Sequence, residues 1–288
     1  MGTIRATDKL IYECNNNSIE LCHCANYMIA DFKEFTTNNI YNIKASGQNG
    51  ATYISSNLDN KEINIVGYIN MRIPNYELLE RKLKQAFTPH QVGKLIFKGL
   101  GYEKEIFAIP TSIIEFERIA GLGHCRFEIN LESQGSPYWQ GREIAEIFSE
   151  IRPTLKFQIN SNDKKPIIMG VKKNVLTSII NNIGDVETGF RAIFRCRDGT
   201  SKNPEIINKE TGQKIRIIAN MEKNDMIEIF SFRNKKMIFY NGIDSFTKID
   251  RKNSDWFYLP TGGSQITYRA DENFSNLDFT IYYNPLYL

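Results

Sequence analysis

The sequence predicts a mainly β protein of two domains, residues 1–140 and 141–288, the first carrying one helix. Three observations lead there. The chain has 288 residues, about the size at which a single hydrophobic core stops growing and chains divide. Apolar and polar residues alternate with period two over long stretches, the pattern of strands with one buried face. The composition favours strands, with 18 Phe, 14 Tyr and many β-branched residues, which pack well on a pleated surface.

In chain order, Lys61 to Met71 (KEINIVGYINM) places Ile63, Ile65, Gly67, Ile69 and Met71 on one face. A helix follows. Asn75 after Pro74 is the expected N-cap, Leu79, Leu83 and Phe87 form an apolar stripe at helical spacing, and Thr88–Pro89 ends it. His124 to Ser133 (HCRFEINLES) buries Cys125, Phe127, Ile129 and Leu131 and turns Arg126, Glu128, Asn130 and Glu132 outward. This is the signature of an antiparallel strand. The Gly/Pro-rich break at Gln134–Gly141 (QGSPYWQG) opens the domain boundary, which falls within residues 134–153. In Arg142–Ile151, Ile144, Ile147, Phe148 and Ile151 have helical spacing, although the segment also fits a strand. Farther on, Asn241–Gly242 between MIFY and IDSF predicts a tight hairpin, because Asn and Gly accept the positive φ it needs. Asn49–Gly50, Asp198–Gly199 and Gly262–Gly263 are further turn candidates. Asp278–Tyr283 forms the last alternating strand, with Phe279, Ile281 and Tyr283 on one face.

Charge and cysteine usage exclude several classes. Net charge is +3 and neither half is a basic domain, so tight binding of duplex DNA has no compositional support. The pairs Lys164–Lys165, Lys172–Lys173 and Lys235–Lys236 read as solvated loop or sheet-edge charges. Five cysteines, Cys14, Cys22, Cys24, Cys125 and Cys196, without a secretory signal point to free thiols in a reducing compartment. The N-terminal segment has no apolar signal core, and Ala6 sits where a myristoylation signal at Met1–Gly2 needs Ser or Thr. No apolar run is long enough for a transmembrane helix.

No constellation makes a case for catalysis, a cofactor or a metal. Cys22–His23–Cys24, with His124–Cys125 as a partner, is the nearest to a zinc site. Its spacing is shorter than the Cys-x₂₋₄-Cys that wraps a metal, and small core thiols account for it. Neither a phosphate-binding P-loop nor a nucleophile elbow is present. The glycine-rich Thr261–Ser264 reads as a turn between strands, not as a helix N-terminus able to hold phosphate. The three histidines, His23, His90 and His124, have no partners recognisable for a nucleophilic relay, and His90 is expected to be exposed. A glycosidase pair of carboxylates meets only in space, and the sequence singles out none. Trp256, in what reads as an aromatic strand SDWFYLP, serves either as a sugar-stacking platform or, more simply, as a core residue. Trp139 reads as a core residue that also suits a cover for the domain junction.

The serial order of motifs resembles the distal tail proteins (Dit) of long-tailed bacteriophages, within the siphovirus tail-component family. In the first half these are GQNGATYISSNLDNKEINIVGYI, ELLERKLKQAFTP, GKLIF and HCRFEINLES running into SPYW. In the second, Asn182, Gly184 and Asp185 form an Asn-x-Gly-Asp motif. NPEIINKETGQKIRI follows with Asn203, Pro204, Asn208, Thr211 and Gly212, then the Asn-Gly hairpin, SDWFYLPTGGSQITY and the ending IYYNPLYL. The segment between Trp139 and Asn182 is long for that family. The motif residues themselves read as turn and loop structure.

The resemblance implies a β-sandwich-like N-terminal domain and a C-terminal jelly-roll sandwich similar to galectins or carbohydrate-binding modules. It implies a non-enzymatic component of the virion tail tip, made and assembled in the host cytoplasm. Six copies would form a ring joining the tail tube to a tail-associated lysin or receptor-binding baseplate, with DNA passing the lumen unbound and no membrane contact. A near-neutral chain suits such a channel, and a ring needs a heterologous interface whose rotation closes. An alternative is a carbohydrate-binding module recognising a bacterial surface glycan through the C-terminal domain, and a weak glycan contact is compatible with the hub itself.

Overall fold

A computed structural model of the chain describes residues 7–24, 26–99, 101–119, 123–153 and 170–288. The expectations placed on Met1–Gly2, Ala6 and Lys164–Lys165 lie outside these residues. Two compact units are present, residues 1–141 with 287–288, and residues 142–286.

The first unit comprises β1 (Lys9–Cys14), β2 (Asn17–Cys22), β3 (Tyr27–Phe35), β4 (Asn38–Ile43), β5 (Thr52–Leu58), β6 (Glu62–Asn70), α1 (Tyr76–Ala86), β7 (Gly93–Gly99), β8 (Tyr102–Pro110), β9 (Glu115–Ile119), β10 (His124–Ser133) and β11 (Trp139–Gly141). Its main sheet runs β2-β1-β7-β8-β10-β6-β3, with β9 added on β10 and β11 on β8. Every pairing for which a register is defined is antiparallel. One core fills it, built from alternate residues of β1, β6, β7 and β10 together with Leu83, Ala86, Phe87 and Trp139.

The alternation read from the sequence sets the pairing. β6 and β10 face each other with Ile65 opposite Ile129 and Gly67 opposite Phe127, all buried. Gly67 explains itself: a Cβ there would lie 2.3 Å from Phe127 Cζ and 2.5 Å from the Met28 carbonyl oxygen. The aromatic ring fills the space that a strand glycine leaves open.

Helix α1 covers the core with Leu83 and Ala86 buried and Tyr76 and Leu79 packed against it. Phe87 follows as the C-cap and stacks on Tyr12 with ring centroids 4.1 Å apart. Asn75 occupies the N-cap position but does not cap through its side chain. It adopts left-handed φ of 64°, which reverses the chain after Pro74 instead of presenting the carboxamide to the first helical amides.

The second unit comprises β12 (Ile144–Ile147), β13 (Ser149–Pro153), β14 (Gly170–Asn174), β15 (Thr177–Asn182), β16 (Phe190–Cys196), β17 (Ser201–Lys202), β18 (Glu205–Asn208), β19 (Lys214–Arg216), β20 (Asn220–Met221), β21 (Met226–Phe232), β22 (Lys235–Tyr240), β23 (Ile243–Asp244), β24 (Gly262–Arg269) and β25 (Leu277–Tyr283). A six-stranded sheet, β12-β25-β16-β21-β22-β23, and a four-stranded sheet, β15-β24-β18-β19, enclose one core. Phe190, Ala192, Phe194, Ile227, Phe279 and Ile281 come from the first sheet, and Ile180, Ile206, Ile215, Ile266 and Tyr268 from the second. This is a sandwich packed through its two inner faces.

Several local expectations need correction. The helical spacing in Arg142–Ile151 is overridden by sheet pairing: Ile144 to Ile147 lie beside Tyr283 to Thr280 in β25, and Ser149–Pro153 pairs with Gly170–Asn174. Lys172 and Lys173 therefore sit in β14. Thr261–Ser264 is not a turn, since Gly262 opens β24 opposite Asn182 and Ser264 is buried opposite Ile180. SDWFYLP is an irregular segment rather than a strand, tied in by the Thr188–Leu259 bridge and by single hydrogen bonds such as Asp255 N–H to Lys214 O and Ser231 Oγ to Phe257 O. GQNGATYISSNLDNKEINIVGYI holds two strands, β5 and β6, not one. The Asn241–Gly242 hairpin is as expected, with φ of 49° and 78° at the two turn residues.

Candidate assembly surface

The residues that could carry chemistry are dispersed. Cys22 ends β2 and is buried, whereas His23 and Cys24 lie in the following turn and are exposed. Among the described residues, no group of three or more His, Cys, Asp or Glu could hold a metal ion. Cys125 is fully buried and its Sγ lies 3.5 Å from Glu80 Oε1. Burial, reinforced by that carboxylate, pushes the Cys125 thiol up to about 11. Burial also raises Cys14 and Cys196, so these thiols stay protonated and un-nucleophilic at neutral pH. His90 is exposed at left-handed φ of 72°. His124 starts β10 and lies 6.4 Å from the Tyr68 ring.

The motif residues of the second half are turn devices. Asn182 is buried: its Nδ2 donates to the carbonyls of Val186 at 3.0 Å and Leu259 at 3.2 Å, and its Oδ1 accepts from Gly184 N–H at 3.0 Å. Gly184 permits close packing, since a Cβ would meet the Leu286 backbone at 2.5 Å, and Asp185 N–H donates to Leu286 O at 2.8 Å. Asn203 and Asn208 do the same work elsewhere. Asn203 accepts from Ala219 N–H and donates to Asp271. Asn208 accepts from the amides of Glu210 and Thr211. Replacing Asn182 by Ala removes three side-chain hydrogen bonds to backbone groups at once, one of them fully buried. The expected cost is about 2–4 kcal/mol of second-unit stability, read as a lowered urea midpoint, and a variant within experimental error of the parent would refute this role.

The two tryptophans differ. Trp139 is fully buried in the first unit's core. Its Nε1 donates to Glu34 Oε2 at 2.7 Å. The same oxygen receives Lys61 Nζ at 3.1 Å. Trp256 is half-buried against the second core and stacks parallel to Phe246, centroids 6.2 Å apart. Lys236 Nζ stands 5.9 Å from its ring. The Phe246 ring thus occupies one side of Trp256.

The feature that sequence reasoning missed is the ribbon β4–β5. Among the described residues these two strands pair only with each other, and they lie between β3 and β6 in the chain. Asn38–Ile43 and Thr52–Leu58 are solvent-exposed on both faces except at Asn39 and Leu58. Ile40, Tyr41, Ile43, Tyr53 and Ile54 are each more than half exposed, as is Phe35 at its base. Between residues 38 and 58 only Lys44 is charged. A two-stranded ribbon is marginal in water without a covering layer, and apolar exposure of this extent marks an interaction surface. The available signal was the conjunction of alternating apolar residues with an almost uncharged stretch.

A second apolar face lies on the outer side of the six-stranded sheet. Register brings Tyr282, Arg191, Phe230 and Met237 into one row and Thr280, Ile193, Glu228 and Phe239 into the next. Its charges are already engaged: Arg191 reaches Glu143, Glu228 and the Tyr282 ring, and Lys235 covers Phe230.

Comparison with known proteins gives the same picture in both units. Residues 19–133 match the family model of the phage tail protein RIFT-related domain, and residues 183–287 that of the siphovirus-type tail component, C-terminal domain. The fold is similar to that of the Dit protein (gp 19.1) of phage SPP1, described as a paradigm of the hub adsorption apparatus in phages infecting Gram-positive bacteria. The TM-score is 0.67 at 10% identity, over 98% of this chain and 99% of that one. A chain of the phage P2 baseplate in its activated conformation with Ca aligns with a TM-score of 0.43 at 10% identity, over 96% and 97% of the two chains. No curated protein matches the sequence.

Proposed function

Because the chain belongs to the siphovirus-type phage tail component family, matched separately in its two units, we propose that this structural tail protein works as a hexameric ring. The ring joins the tail tube to the tail-associated lysin or receptor-binding baseplate and leaves a lumen through which DNA passes. The observation that carries the reading is the β4–β5 ribbon, which exposes large apolar side chains on both faces. Packing the ribbon of each copy on a different surface of the next is a heterologous contact, and such contacts close into rings when the rotation permits. A net charge of +3 keeps electrostatic attraction to DNA small.

The buried, protonated thiols and the turn-forming motif residues support a scaffold rather than a catalyst. Incubation with host cell-wall material is expected to release nothing. The decisive experiment is the absolute mass of the purified protein by light scattering on a sizing column, with negative-stain images of the same peak. Six chains of 33.3 kDa seen as a ring with a central hole are expected. A protein that stays monomeric at high concentration, both alone and with the tail tube protein, refutes the ring.

A further inference from the structure

The sequence contains two Asn-Gly pairs, Asn49–Gly50 and Asn241–Gly242, in opposite surroundings. Asn241 sits in the β22–β23 hairpin with its carboxamide fixed at both ends. Its Oδ1 accepts from Met226 N–H at 2.8 Å and its Nδ2 donates to Asp225 Oδ1 at 2.8 Å. Its own N–H donates to Met226 O at 2.9 Å. Asn49 lies in the connection 44–51 between β4 and β5. It is exposed, and no hydrogen bond holds its side chain among the described residues. Gly50 after it has φ of 85° and nothing within 4 Å of where a Cβ would stand.

We propose that Asn49 is a site of spontaneous deamidation in the folded protein and that Asn241 is protected. The chemistry needs only water and base. The deprotonated amide nitrogen of Gly50 attacks Asn49 Cγ. The new N–Cγ bond forms, the Cγ–Nδ2 bond breaks, and Nδ2 leaves with a proton as ammonia, giving a succinimide. Water then adds to one of the two ring carbonyls and that C–N bond breaks. Attack at the side-chain carbonyl yields aspartate, and attack at the main-chain carbonyl yields isoaspartate. No electron is transferred, and the balance is amide plus water to acid plus ammonia. The attack requires the carboxamide to swing over the following amide, and glycine, lacking a side chain, leaves that approach open. Asn241 cannot make this swing without breaking both bonds to its side chain. The product places a carboxylate in a ribbon whose only other charge is Lys44, and isoaspartate adds a methylene to the backbone there. The inference does not depend on the ring.

The test holds the full chain in warm, mildly alkaline buffer, with a parallel sample in urea. Both are digested with trypsin, and the fragment spectra of peptides 45–61 and 237–248 locate the amide-to-acid mass change. In the folded protein acid is expected to accumulate at Asn49 about tenfold or more faster than at Asn241, the suppression that two hydrogen bonds of ordinary strength give. In urea the two rates converge, and Asp225→Ala accelerates Asn241 alone. Equal rates in the folded protein overturn the proposal. So does a gap that persists in urea, because sequence neighbours and not the fold would then set it.

Discussion

Trp139→Ala is expected to unfold the first unit while the second stays folded. The indole is fully buried, lies edge-on to Phe97 with ring centroids 6.5 Å apart, and carries Lys104 Nζ 4.7 Å above it. Truncating a buried Trp costs about 3–5 kcal/mol through lost transfer and the cavity left behind. The chain also loses the Nε1 bond to Glu34, which shares the carboxylate oxygen with Lys61, a side chain only 7% exposed. Leaving that pair short of a donor adds about 1–3 kcal/mol, and the total approaches the roughly 5–15 kcal/mol by which whole domains are stable. Each unit has its own core and each contains one tryptophan, so Trp256 fluorescence follows the second unit in this variant. The expected result is an early circular-dichroism transition in urea with the Trp256 transition unmoved. Trp139→Phe, which refills most of the space, should recover more than half of the loss. A Trp139→Ala midpoint close to the parent's would show that the indole does not anchor this core.

The elements that were legible in the sequence are those in which a single periodic signal had no competitor. β6 and β10 alternate over their whole length and one face of each is buried, so the residues of each strand that face the core followed from pattern alone. The hairpin at Asn241–Gly242 was legible because positive φ at both turn residues demands those residue types. Helix α1 was legible from its stripe, although Asn75 uses the positive φ open to asparagine to turn the chain rather than to cap it. Reading failed where two patterns coexist. Ile144, Ile147 and Phe148 fit a helical face, yet the β25 edge beside them offered pairing from Ile144 to Ile147, and a local pattern carries no information about a strand that arrives much later in the chain. The same holds for Gly262–Ser264, whose glycines suggested a turn but whose pairing with β15 decides the outcome. The candidate assembly surface was least legible. Ile40, Tyr41, Ile43, Tyr53 and Ile54 read as ordinary strand residues, and only burial reveals that their own chain does not cover them.

That uncovered ribbon carries the largest effect expected on function. Ile40 and Ile54 are 57% and 59% exposed, so replacing both with Asp removes almost no contact within the chain. The monomer should lose at most about 0.5 kcal/mol per site, as exposed substitutions do. In the proposed ring Ile40 and Ile54 are buried against the next copy. Forfeiting two isoleucines there costs about 3–6 kcal/mol per interface, before the penalty of desolvating two carboxylates. A loss of that size weakens each contact by roughly a hundredfold to ten-thousandfold, and a closed ring repeats it at every interface. The double variant should therefore elute as a folded monomer with the parent's melting profile. Ile179→Asp, an equally conspicuous change at 66% exposure on the second unit's four-stranded sheet, should leave the ring intact. If instead the ribbon variant keeps the ring and the Ile179 variant loses it, the copies associate through the second unit. The ribbon would then have to be covered by a different tail protein, and the ring would rest on contacts between sandwiches rather than between hairpins.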